Sequence, residues 1–177
     1  MLAAAGFEFV IDAPEIDESP RSGETPRDHV VRLATEKALA TAAAHPTDLV
    51  LGADTTIDLD GTIIGKPADR DDAAGILATL SGRDHRVHTA TAVVLGDDSR
   101  SGVATATVRF RSIGPDEISD YLAEGESLDK AGAYAIQGAG FRLATVVDGE
   151  TDTVVGLNLR LVRALLGGFT GAGPPTD

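Results

Sequence analysis

The sequence predicts an α/β domain, a mixed, twisted β-sheet flanked by helices. Three observations point there. Short apolar, β-branched runs alternate along the chain with segments that open on helix caps and close on glycine. The 177 residues are one domain's worth. The 42% hydrophobic and 24% charged content is that of an ordinary globular chain, long enough to bury a core without staples.

The elements follow in order. Leu2-Ala3-Ala4-Ala5-Gly6 reads as the last turn of a helix closed by a left-handed glycine, and Phe7 to Ile11 as a strand. Ala13 to Glu24, with its prolines and acids, is a loop. Thr25-Pro26-Arg27-Asp28 places an N-cap threonine, a proline at the first helical position and an acid at the third, so a helix runs to about Ala44. It carries Val30, Leu33, Ala34, Lys37 and Ala38 on one face. Asp48 to Ala53 is a buried strand. Thr55 to Leu59 and Thr62 to Ile64 flank Asp60-Gly61, a strong hairpin signal. Asp69 caps a helix over Arg70 to Leu80, whose Asp71 and Asp72 suit its positive end. Strands follow over His85 to Leu95 and Val103 to Phe110, with a turn over 96–102. A helix runs from Pro115 to Ala123, then a glycine-rich loop with at most one short turn to Gly140. A strand over Arg142 to Val147 and a helix from Asn158 to Leu166 complete the domain, 1–168. The tail, 169–177, is expected to be disordered.

Composition excludes several kinds of function. The absence of cysteine removes disulfide scaffolds, thiolate metal sites and cysteine nucleophiles. No apolar run is long enough to span a bilayer, and MLAAAGFEFV has no basic segment or cleavage site, so the expected compartment is the cytoplasm. A net charge of −13 repels nucleic acid and anionic membranes. A polyanionic substrate would have to be held locally, and the only lysines are Lys37, Lys66 and Lys130.

Several motifs fail on spacing. Gly61-Thr-Ile-Ile-Gly65-Lys66-Pro67 is one residue short of a phosphate loop and has proline where a metal-binding hydroxyl belongs. Gly138-Ala-Gly140 lacks the third glycine of a dinucleotide fingerprint. Asp58-Leu-Asp60-Gly61 lacks the glutamate of a calcium loop. His85 and His88, three apart in a strand, face opposite sides and make a poor zinc pair. There is no Gly-x-Ser-x-Gly elbow.

What remains is a set of polar residues at the ends of apolar elements. Asp54 follows LVLGA, where α/β sheets bind ligands; the plain alternative is a turn aspartate capping Thr56. Lys37 either snorkels from its apolar face or reaches a phosphate. Lys66 sits between glycine and proline. Lys130 and Gln137 lie among small residues that let a ligand approach backbone, or simply in a surface loop. Together, Asp54 and Glu18 suit a magnesium ion and an activated water, the three lysines suit phosphate, and Thr55 and Gln137 suit a base or sugar. Phosphoanhydride cleavage needs positioning and charge neutralisation rather than a covalent nucleophile.

On these residues the chain resembles a known family. LGADTTIDLDGTIIGKPADRDDAAGILATLSGRDHRVHTA resembles the central signature of the Maf-type nucleoside triphosphate pyrophosphatases. SLDKAGAYAIQG followed by VVGLNL resembles the second, and AGFEFVIDAPEIDES and RLATEKALA the early segments. The resemblance implies a fold similar to inosine triphosphate pyrophosphatases, with a second small lobe, and hydrolysis of a nucleoside triphosphate to monophosphate and pyrophosphate with Mg2+ or Mn2+. It implies Asp54 as proton acceptor and metal ligand, Glu18 as the other metal ligand, and Thr55 and Gln137 in base selection. It implies Lys37, Lys66 and Lys130 around the phosphates. The Lys-Ala-Gly-Ala-Tyr…Ile-Gln-Gly form is similar to the branch acting on dTTP and UTP. Removal of modified nucleotides and restraint of cell division are the implied biology. The expected partners are the nucleotide and a second copy in a homodimer, with neither nucleic acid nor membrane. Two departures stand out. The family's opening strand and Ser-x-Ser-Pro-Arg-Arg loop have no counterpart here, which leaves a catalytically impaired nucleotide-binding or division-regulating protein as the alternative. Asn158 replaces a proline, and asparagine also caps a helix.

Overall fold

The computed structural model describes residues 1–125 and 128–169. Among these residues five helices and five strands follow in the order α1 (Pro26–Ala44), β1 (Val50–Leu59), β2 (Thr62–Ile64), α2 (Arg70–Leu80), β3 (Asp84–Leu95), β4 (Asp98–Phe110), α3 (Pro115–Ala123), β5 (Ala144–Asp148), α4 (Thr151–Val155) and α5 (Leu159–Leu166), with one short 3₁₀ turn before α1 and two between α3 and β5. The strands form one sheet in the order β2-β1-β3-β4-β5.

The α/β class and the helix-flanked sheet stand, but the sheet is antiparallel rather than mixed. β1 pairs antiparallel with β2, Ile57 opposite Ile64 and Leu59 opposite Thr62. β4 pairs antiparallel with β5, Phe110 opposite Ala144. Arg109 donates to Asp84 at 2.7 and 2.8 Å while His88 meets Thr105 at 2.8 Å, so β3 and β4 also run in opposite directions. The reason is local. Tight turns join β1 to β2 at Asp60-Gly61, where both residues have positive φ (52° and 87°), and β3 to β4 at Gly96-Asp97. The strand over residues 7–11 does not form: the segment pairs with no described strand, and Val10 is 94% exposed. A strand without a neighbour leaves its backbone groups and side chains to water. The tail expected to start at Phe169 has its first ring buried, with the Arg100 guanidinium 4.8 Å from the ring centroid; residues 170–177 lie outside the described residues.

The chain divides into two compact units. The first holds Met1–Asp54, Thr89–Ala104 and the described residues from Gly156 onward; the second holds Thr55–His88 and Thr105–Val155. In the first, α1 buries Val30, Ala34 and Ala38 against Val50, Ala90, Ala92 and Val94. The contact is backbone-close: a Cβ on Gly52 would lie 2.4 Å from the Ala34 carbonyl oxygen and 2.7 Å from the Ala38 nitrogen. In the second, Leu77 and Leu80 of α2, Val87, Val108, Phe110, Tyr121 and Tyr134 form the core.

His85 belongs to that second core. Its ring lies 5.8 Å from Phe110 and its Nε2 2.8 Å from the Tyr134 hydroxyl, while Nδ1 is buried without a partner. Burial pushes its pKa down to about 4. A histidine neutral in the fold but protonated near 6.5 when unfolded stabilises above pH 6.5 and loses that contribution as pH falls through 4. The expected loss is about 3 kcal/mol over that window. Melting curves from pH 7 to pH 4 should fall less steeply for His85→Gln; equal slopes would refute this account of the acid limb.

Candidate active site

The site is built on α1 and β1 in the first unit. Thr25 caps α1 by accepting from the Asp28 amide, with Pro26 at the first helical position. Alternation along a strand puts Gly52 and Asp54 on one face. Because Gly52 admits the backbone of α1, Lys37, next to Ala38, reaches Asp54. Lys37 Nζ donates to Asp54 Oδ1 at 2.6 Å and lies 2.6 Å from Glu18 Oε1. Lys37 therefore ends between two carboxylates. Asp54 is not a turn residue: β1 continues through it to Leu59, carried by the β-branched Thr55, Thr56 and Ile57.

The electrostatics follow from burial. Asp54 is 11% exposed, and desolvation raises its pKa above the ordinary aspartate value; Lys37 works against this but divides its charge between two carboxylates. Burial opposes the Lys37 ammonium, yet its hydrogen bonds to Asp54 and Glu18 hold its pKa above the usual lysine value. The result is a carboxylate with enhanced proton affinity beside a fixed positive charge. Glu18 and Asp54 each present a hard oxygen donor beside Lys37. Magnesium is commonly bound by one or two carboxylates and completes its shell with phosphate oxygens and water, so Glu18 and Asp54 fit such an ion. Among the described residues no group of three or more His, Cys, Asp or Glu is placed to hold a metal with protein ligands alone.

Sequence reasoning missed the network behind this corner. Glu24, just before the cap, accepts from Arg32 Nε at 2.6 Å and Nη2 at 2.9 Å, and lies 2.9 Å from His29 Nδ1. The Arg32 fork holds the Glu24 carboxyl well below the usual glutamate range, and Glu24 raises Arg32 in return. The available signal was spacing: Arg32 and Glu36 pair one turn apart, immediately before Lys37.

The other expected residues, Thr55, Lys66, Lys130 and Gln137, belong to the second unit. Lys66 is exposed in the segment after β2, and its charge contributes, after the Lys130 hydrogen bond, to lowering the pKa of Asp129. Lys130 donates to Asp129 at 2.6 Å, and Gln137 is exposed. The segment carrying Lys130 and Gln137 is anchored at two points. The Gly132 amide donates to Gly65 O at 3.0 Å and the Ala135 amide to the Tyr121 hydroxyl at 3.1 Å. Gly132 and Ala133 both adopt positive φ, and a Cβ on Gly132 would meet Ile57 at 2.2 Å. A non-glycine residue kept at φ 59° is backbone strain that the surrounding packing must sustain. There are two short 3₁₀ turns here, Ala131–Ala133 and Gly138–Arg142, where at most one was expected. His85 and His88 take no shared ligand: His88 meets Thr105 and Asp58, and His85 meets Tyr134.

The family described as Maf-like protein matches residues 1–169. The chain belongs to the Maf-like family. Among its relatives, a dTTP/UTP pyrophosphatase of Myxococcus xanthus is 45% identical over 94% of this chain and 84% of its own length. One of Shewanella denitrificans is 45% identical over 94% and 88%, and one of Symbiobacterium thermophilum 41% identical over 96% and 87%. In this Maf-like chain the Glu18, Lys37 and Asp54 corner therefore sits within the segment that the family match covers. No helix among the described residues is long and apolar enough to cross a membrane.

Proposed function

We propose that this Maf-like chain hydrolyses dTTP and UTP to the nucleoside monophosphate and pyrophosphate. The observation that carries the reading is Lys37 held 2.6 Å from both Glu18 and Asp54, in a chain 41–45% identical to relatives called dTTP/UTP pyrophosphatases. Asp54 is the general base. Its burial-raised proton affinity suits it to take a proton from the water whose oxygen attacks phosphorus as the α–β anhydride breaks. Lys37 keeps Asp54 in place and favours its ionised form, the one able to accept the proton. Glu18 and Asp54 would hold a divalent cation, which supplies charge neutralisation at the phosphate oxygens when bound. Lys66 and Lys130 take phosphate charge, and Thr55 and Gln137 select the base.

Phosphorus NMR of dTTP and UTP turned over in Mg2+ or Mn2+ tests the reading. Pyrophosphate and monophosphate in equal amounts are expected, with dGTP and CTP slower. Orthophosphate with the nucleoside diphosphate, or binding without turnover, would overturn it.

A further inference from the structure

Of Glu18, Lys37 and Asp54, Glu18 alone lies outside a regular element. It lies in the irregular stretch between Gly6 and Thr25, whereas Lys37 is on α1 and Asp54 on β1. Something else must place its carboxylate 2.6 Å from Lys37. Among the described contacts of the first unit, the loop after Glu18 is held to α1. Arg32 Nη2 donates to the main-chain oxygen of Ser19, the residue after Glu18, at 3.1 Å. The same guanidinium is gripped by both oxygens of Glu24, and its Nη1 donates to Glu36 at 3.1 Å. Glu24 Oε2 also accepts from the Arg21 amide at 3.0 Å, and Glu36 from Arg21 Nη2 at 2.8 Å, so the loop is tied to α1 at several points. Glu24 and Arg32 are 8% and 11% exposed, far more buried than a pair that only solubilises a surface. Arg32 lies five residues before Lys37 on α1, so one helix carries both the anchor of the Glu18 loop and the lysine that Glu18 meets.

We propose that Glu24, acting through the Arg32 fork on the Ser19 carbonyl, is a positioning residue that sets Glu18 against Lys37. This inference rests on the hydrolytic reading for its rate readout only. Glu24→Gln weakens the grip on the guanidinium. Arg32→Lys keeps the charge that pairs with Glu24 but loses the planar fork needed to hold Glu24 and the Ser19 carbonyl together.

The test has two readouts. The first is the Lys37 ammonium signal in nitrogen-resolved NMR, readily assigned among three lysines. Glu24→Gln and Arg32→Lys should each displace it in the direction that Glu18→Gln does, and Glu24→Asp should restore it. The second is rate. Glu24→Gln should lower kcat for dTTP about tenfold or more with KM within about twofold, and add little further loss in a Glu18→Gln background. A folded Glu24→Gln or Arg32→Lys protein with an unmoved Lys37 signal, or losses that multiply in full with Glu18→Gln, would show a structural role only and overturn the inference. A wild type that releases no pyrophosphate would overturn the hydrolytic reading, while the ammonium signal would still decide whether Glu24 places Glu18.

Discussion

Asp54→Asn should lower kcat for dTTP about a thousandfold, within the range a positioned general base contributes, and leave the melting temperature unchanged or higher. The two halves of this result have one cause. Burial raises the pKa of Asp54 in the fold. A carboxyl whose folded pKa lies above its unfolded value stabilises the fold when protonated, below the unfolded pKa, and loses that contribution as pH rises through the folded pKa. At neutral pH the ionised Asp54 is therefore a strain on the fold. Asparagine keeps the volume, cannot take a proton and removes the strain, while Lys37 retains Glu18 as a partner. A rate within about threefold of wild type would remove Asp54 from the general-base role.

Gly52→Ala should cost about 2 to 3 kcal/mol, seen as a fall in melting temperature of roughly 5–10 °C. It should also lower kcat/KM by on the order of a hundredfold through a displaced Lys37. The added Cβ meets main-chain atoms of α1 at 2.4 and 2.7 Å, so no side chain can turn aside and the helix itself must move. Lys37 would move with it. Gly75 on α2 is the matched control, since nothing lies within 4 Å of a Cβ there. Gly75→Ala should stabilise by up to about 1 kcal/mol and leave activity alone. Equal stability changes at the two positions would show that the close approach of α1 to β1 is not what holds the site.

Much of the fold was legible in local chemistry. Thr25, Asp69 and Asn158 cap their helices through side-chain oxygens, as their residue types require. Asp60-Gly61 makes the hairpin because asparagine-like residues and glycine tolerate positive φ. Errors arose where neighbours decide. Phe7 to Ile11 has strand composition but pairs with no described strand. Asp98 to Gly102 looks polar enough for a loop, yet the tight turn at Gly96 draws it into β4. The Thr151–Val155 helix is β-branched throughout its threonines and valines and reads as anything but a helix. For the site, Asp54 and Lys37 stood out as charges on apolar elements, but only the glycine–alanine approach explains why they meet. Nothing local marks Glu24 or Arg32 in the sequence; their burial is a tertiary fact. Roles for Thr55, Lys66, Lys130 and Gln137 were suggested by residue type and narrowed by the resemblance, since each is individually ordinary.

The most direct test compares pyrophosphate release from dTTP by the wild type and by Lys37→Met, at saturating Mg2+ and with matched melting curves. If Lys37 holds the two carboxylates in working order, the wild type yields pyrophosphate and monophosphate in equal amounts. Lys37→Met should then lose at least about a hundredfold in rate while remaining folded. A folded Lys37→Met protein that turns over dTTP at the wild-type rate would contradict the assignment of this corner as the catalytic centre.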